Sequence, residues 1–237
     1  MAHASPAPRA DGPPAVDVAA NLAAVMAEVR DAARAAGRDA GEITLIAVSK
    51  GHPPSRILPA LFAGHTTFGE NRVQEASEKW HALRAEWPGA VLHYIGALQT
   101  NKARDAVAVA DAIHAIDRPK LATALAREMD RQGKRPDCFV QVNTGAEPQK
   151  AGVLPDGLDA LLAQCRDDLM LPVIGLMCIP PAAEDPARHF TLLRELAARH
   201  GLDKLSTGMS ADYRAAIALG ATHVRIGTAI FGARPPR

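Results

Sequence analysis

The sequence predicts an α/β protein, a single (β/α)8 TIM barrel with an extra N-terminal helix, and three observations carry that prediction. Eight short apolar runs alternate with helix-patterned segments along the chain. The alternation fills about 200 of 237 residues, a length that α/β barrels reach as one domain. The first run, Ile43-Thr-Leu-Ile-Ala-Val48, is short and apolar with β-branched residues, as a strand buried on both faces of a parallel sheet requires, and similar short runs recur.

Residues 1–15 are rich in Pro and Ala but lack the continuous apolar segment of a secretory signal, so they read as a disordered tail ahead of a barrel domain over 16–237. Across 16–36, Val18, Leu22, Val25, Met26 and Val29 recur at three- and four-residue spacing, which lays one stripe along a helix that Gly37 ends. The first strand is 43–48, and the chain then alternates: helix 55–63, strand 66–68, helix 73–85, strand 91–95, helix 101–108, strand 112–116 and helix 120–132. The second half repeats the pattern with strand 138–143, helix 156–165, strand 173–176, helix 186–200, strand 204–206, helix 211–219 and strand 222–226. A doubly wound open sheet is the alternative, but no Gly-x-Gly-x-x-Gly follows the first strand and no Gly-x4-Gly-Lys-Ser/Thr occurs anywhere.

Composition narrows the function classes. Apolar residues make up 48% and aromatics 4%, so the interior must be built from Ala, Leu, Val and Ile. Lys and Arg number 27 against 26 Asp and Glu, a net charge of +1 that gives no pull toward nucleic acid. The longest stretches free of charged residues, 87–101 and 169–183, contain prolines and are 15 residues long, short of the roughly 20 a membrane helix needs. Cys138, Cys165 and Cys178 form no Cys-x-x-Cys pair, which fits a reducing, cytoplasmic setting better than a disulfide scaffold or a zinc ribbon. Nine histidines show no metal-ligand spacing.

In a barrel, chemistry belongs at the carboxyl ends of the strands. The first strand runs into Ser49-Lys50, and alternation turns Lys50 inward beside Ile46 and Val48. Partial desolvation there leaves more neutral amine, the form that attacks a carbonyl to make a Schiff base, although strand rims also carry ordinary solvated lysines. Near the other end, Gly208-Met209-Ser210 leads into a helix with Ser210 as the expected N-cap, an arrangement that suits either plain capping or an anion. The last strand buries Arg225, which needs a partner, and follows it with Gly227 and Thr228, able to meet the same phosphate as Ser210. A carbonyl-reactive lysine and a phosphate cradle together point to pyridoxal 5′-phosphate (PLP).

A resemblance is carried by ordered blocks from about residue 20 to 234. They are Ala47-Val48-Ser49-Lys50, Phe68-Gly69-Glu70-Asn71 with Val73-Gln74-Glu75, His93-Tyr94-Ile95-Gly96 with Leu98-Gln99 and Asn101-Lys102, Gln141-Val142-Asn143, Gly175-Leu176-Met177, Gly208-Met209-Ser210 with Asp212, and Val224-Arg225-Ile226-Gly227 with Ile230-Phe231-Gly232. In these the chain resembles the pyridoxal phosphate homeostasis protein family, and it is similar to the barrel domain of alanine racemase. The resemblance implies a PLP-binding protein of intracellular vitamin B6 homeostasis, holding PLP as an internal aldimine on Lys50. It further implies that Arg225 faces the pyridine nitrogen, that Gly208, Met209, Ser210, Gly227 and Thr228 surround the phosphate, and that Asn71, His93 and Met177 line the ring. The family's Asn143-x3-Glu147-x2-Lys150-x-Gly152 pattern is present too. The chain departs from the family at Gly51-His52, where Thr usually follows the lysine, at Leu92 in place of an aromatic residue, and at Thr207 in place of Met.

An arginine opposite the ring nitrogen weakens the electron sink that pyridoxal enzymes use, and the second base of a racemase is not evident. The expectation is therefore a cytoplasmic, monomeric carrier that buffers PLP and delivers it to PLP-dependent apo-enzymes, without robust catalysis. A fold-type III amino-acid racemase of low activity is the enzyme alternative, and a Schiff-base lyase acting on phosphorylated sugars is another.

Overall fold

A computed structural model describes residues 16–234; the tail expected over residues 1–15 lies outside them. Eight parallel strands close into a barrel in sequence order: β1 (Thr44–Val48), β2 (Thr67–Glu70), β3 (Val91–Tyr94), β4 (Ala112–Ile116), β5 (Asp137–Val142), β6 (Val173–Cys178), β7 (Lys204–Met209) and β8 (His223–Ile226). Closure is direct, because β1 pairs with β8 through Thr44 to His223 and Ile46 to Arg225, and with β2 through Ala47 to Phe68. The doubly wound alternative is thereby excluded.

Helices follow the strands: α1 (Val18–Ala35) precedes β1, and α2 (Pro54–Phe62), α3 (Val73–Glu86), α4 (Ala103–Val109), α5 (Pro119–Gln132), α6 (Leu158–Ala163), α7 (Pro186–Arg199), α8 (Tyr213–Ala218) and α9 (Thr228–Phe231) come after β1 to β8 in turn. The helix after β8 is only one turn long. The extra N-terminal helix makes up for it: α1 packs against α2, α8 and α9, burying Val18, Leu22, Val25, Val29 and Ala33. Met26, expected on that stripe, is instead 39% exposed, and Ala33 extends the buried face in its place. Asp17 caps α1 by accepting from Ala20 N.

Three other expectations change. The segment 156–165 is a 3-10 turn (Pro155–Gly157), α6 and a π turn (Gln164–Asp168). The helix expected from 101 starts at Ala103 after a 3-10 turn. Ser210 does not cap α8; Asp212 precedes that helix, and its Oδ1 accepts from Met209 N at 2.6 Å.

The main apolar core lies between barrel and helices, where Phe68, Trp80, Leu92, Leu121, Leu176 and Phe190 are all buried. Residues on the other face of the strands fill the barrel and are unusually polar. Across the interior, Arg225 NH1 donates to Ser206 Oγ at 2.7 Å, Ser206 pairs with His114 Nδ1 at 2.8 Å, and His114 Nε2 pairs with His93 Nδ1 at 2.8 Å. Arginine only donates, so Ser206 Oγ accepts from Arg225, while the donors of the Ser206–His114 and His114–His93 contacts depend on the imidazole tautomers. Phe139 stacks on His114 with centroids 4.0 Å apart. Burial holds His93 at about 4 and His223 at about 3, and His114 well below its ordinary value, so all three rings are neutral at neutral pH.

Candidate functional site

The carboxyl ends of β1, β7 and β8 open on a cavity of about 210 Å³ whose walls include Val48, Lys50, His52, Ser210, Arg225 and Thr228. The sequence expectation thus brings together residues from opposite ends of the chain. Met209 and Gly227 also belong to the wall. Its charged residues are Lys50, Arg225 and Arg234, and no acidic residue lines it. A cavity of this charge suits an anion.

Lys50 sits in a tight turn. His52 N donates to Ser49 O at 3.2 Å, and Gly51 has φ +75°, the left-handed value that the third residue of a type II turn requires. A side chain at 51 would in addition meet Arg234 Cδ at 3.1 Å. Half-buried Lys50 has its pKa lowered, first by desolvation and then by Arg234 and Arg225, with Glu70 opposing. More neutral amine follows near neutral pH than on a free lysine.

The turn is anchored from behind by groups to which sequence reasoning assigned no role. Lys79 Nζ, on α3, donates to Ser49 O at 3.0 Å, Glu70 Oε1 at 2.8 Å and Glu75 Oε1 at 3.0 Å. Ser49 Oγ donates to Glu70 Oε1 at 2.6 Å, and Gly51 N donates to Glu75 Oε1 at 2.5 Å. Both peptide units flanking Lys50 are thereby tied to α3 and β2. The spacing Glu75-x3-Lys79, one turn of helix apart, was the available signal.

At the opposite wall, Gly208 has φ +90°, and a Cβ there would lie 2.6 Å from Ala216 Cβ and 3.0 Å from Tyr213 Cα. Only glycine lets β7 pass so close to α8 and release Met209 and Ser210 toward the cavity. Gly227 precedes α9, whose first N–H groups have no acceptor within the helix and stand beside the Thr228 hydroxyl. Arg225, 4% exposed, spends NH1 on Ser206 Oγ and donates from NH2 to Cys178 O at 2.9 Å. Those partners are neutral. Among the described residues no carboxylate pairs with Arg225, and burial pulls its pKa down.

The three residues expected to line a ring do not stand in this wall. His93 and Met177 are the inward residues one step below Ile95 and Ile179, which do line the cavity. His93 is turned down because its ring is bonded to His114. Met177 is fully buried in the barrel, and Asn71 opens on a neighbouring groove with Arg72, Tyr94 and Gln99. Gly208 supports the wall from behind. Lys150, outside this cavity, pairs with Glu147 and donates to Pro180 O.

Comparison with known proteins places the chain. The family model described as alanine racemase, N-terminal domain, matches residues 20–235. A Pseudomonas aeruginosa protein named pyridoxal phosphate homeostasis protein is 44% identical over 222 residues, 92% of this chain and 96% of that one. Its Escherichia coli K12 namesake is 41% identical over 227 residues, 92% and 97% of the two chains. Among solved structures, PipY of Synechococcus elongatus superimposes without PLP at a TM-score of 0.82 with 37% identity, and with PLP bound at 0.79 with 36% identity, each covering 91% of this chain and 100% of PipY.

Proposed function

The chain belongs to the pyridoxal phosphate homeostasis protein family, and from that premise we propose that it binds PLP in the Lys50 cavity and serves intracellular vitamin B6 homeostasis by holding and handing over the cofactor. One observation carries the assignment of the site. A buried guanidinium without a carboxylate partner, Arg225, shares a cavity with two further cations and no acid. An uncompensated buried charge is costly, and a ligand bearing a phosphate and a phenolate supplies what the cavity lacks.

Bound there, PLP offers an aldehyde to a primary amine and a ring that withdraws electrons most strongly when its nitrogen is protonated. Lys50 supplies the amine, depressed in pKa and held at a fixed position by the Lys79 anchor. Ser210 and Thr228 supply hydroxyl donors, and Gly227 and Gly208 let the backbone of Met209 and the start of α9 approach the phosphate. Arg225 would hold the ring nitrogen as a donor, and a permanent donor opposes protonation of what it faces. His93 and Met177 lie one layer below the cavity, His93 joined to Arg225 through His114 and Ser206, and Asn71 stands on the neighbouring groove.

The same arrangement favours a carrier over a catalyst, since the ring stays a weak electron sink. We extend the proposal to residues 16–237 acting as one cofactor-binding domain, monomeric and cytoplasmic, with PLP-dependent apo-enzymes as recipients. Three buried free cysteines and the lack of a membrane-crossing helix among the described residues agree with that setting. The test is titration with PLP followed by visible absorption. Wild-type protein should develop a chromophore that Lys50→Ala does not, and neither should racemise amino acids at a robust rate. Lys50-dependent racemase turnover would overturn the carrier reading.

A further inference from the structure

His52 is unusual in being almost buried and yet unengaged. It is 5% exposed, and its ring lies 5.4 Å from that of Phe231, but among the described residues neither ring nitrogen has a hydrogen-bond partner. Its nitrogens are not sealed from solvent as the partnerless Glu70 Oε2 is, and they reach open space. The ring opens instead on the cavity that holds Lys50, from the last position of the same turn.

The charged groups around the ring come from every neighbouring element. Arg56 of α2, Lys79 and Glu75 of α3, and Arg234 beyond α9 face it, with Lys50 in the same turn. Cations outnumber the one carboxylate, which is already bonded to Lys79 and Gly51 N. Together with burial, they hold the imidazole below its ordinary pKa of 6.5. It is a neutral base at neutral pH, lining the same cavity as an amine that must lose a proton before it can attack.

We propose that His52 is the acid–base group of this cavity, moving the proton that cofactor loading and unloading require. The proposal rests on Lys50 being the attachment point. In loading, neutral His52 takes one proton from the Lys50 ammonium, whose freed electron pair forms the nitrogen–carbon bond to the aldehyde while the carbonyl π pair moves to oxygen. A second nitrogen proton passes to that oxygen, and His52 returns its own proton there as the carbon–oxygen bond breaks. Water leaves, a protonated carbon–nitrogen double bond remains, and His52 is neutral again. Unloading is the same sequence reversed.

Stopped-flow absorbance of PLP binding, and of its release into a carbonyl scavenger, tests this with wild type, His52→Gln and His52→Ala between pH 5 and 8. General acid–base catalysis predicts that both rate constants fall by the same factor in His52→Gln, on the order of 100-fold. The wild-type limb that titrates below the ordinary histidine value should vanish, and added imidazole should restore the rate of His52→Ala. Rates within about twofold of wild type, or a change in one direction only, would overturn the proposal. Wild-type protein that forms no reducible chromophore at all would overturn the Lys50 reading and this proposal with it.

Discussion

Exchanging Lys79 for methionine keeps the length of the side chain but removes a cation shared by three oxygens. The partner that suffers most is Glu70, which is fully buried and has one carboxylate oxygen, Oε2, already without a hydrogen bond. Glu75 is 27% exposed along its side chain, so its loss adds little. Leaving Glu70 as an unpaired buried charge costs about 3–5 kcal/mol, a large share of a domain's stability. Desolvation already raises the Glu70 pKa, and Lys79 is the main opposing influence, so the variant raises it further. A carboxyl whose folded pKa lies above its unfolded one stabilises the fold below the unfolded value and loses that contribution as pH rises through the folded value. The deficit should therefore be largest at neutral pH and shrink on acidification toward the carboxylate range. Urea unfolding of wild type and Lys79→Met at pH 7 and near pH 5 measures it, and Glu70→Gln/Lys79→Met should recover much of the loss. A deficit below about 1 kcal/mol at neutral pH, or one that grows in acid, would refute the reasoning.

Further outcomes follow from the same geometry. Gly208→Ala forces a Cβ to 2.6 Å from Ala216 Cβ at φ +90°, and urea unfolding should show a loss of about 1–3 kcal/mol; a change within about 0.5 kcal/mol would contradict the fit. Arg225→Met removes the buried donor, and absorbance titration should find PLP affinity weaker by about 10- to 100-fold, the equivalent of roughly 1.5–3 kcal/mol for a hydrogen bond to a charged group; unchanged affinity would mean that Arg225 faces no ligand. Cys138, Cys165 and Cys178 are free and buried, with burial pushing Cys165 up to about 12. A thiol reagent should label none of them in the folded protein at neutral pH and all of them in denaturant.

Strand number, order and the inward aim of Lys50 were legible because short, largely apolar runs and two-residue alternation are local signals. Two end effects were not. Ser210 reads as an N-cap by residue type, but Asp212 reaches the Met209 amide and takes that place, leaving Ser210 at the cavity. The one-turn α9 is too short to carry a periodic pattern, and its consequence, that α1 fills the ring beside it, exists only once the barrel closes. His93 illustrates a different limit. Its inward direction follows from alternation, but its engagement with His114 depends on a chain of hydrogen bonds from Arg225, residues far apart in sequence. The anchor behind Lys50 was written in Glu75 and Lys79, yet their meaning required the turn they hold.

The most direct measurement is reductive trapping. Protein incubated with PLP is treated with borohydride, digested and mapped by mass spectrometry. A single pyridoxyl-modified lysine, Lys50, is the predicted result, with the modification absent from Lys50→Ala. Modification centred on Lys79 or Lys150, or spread evenly over surface lysines, would contradict the account.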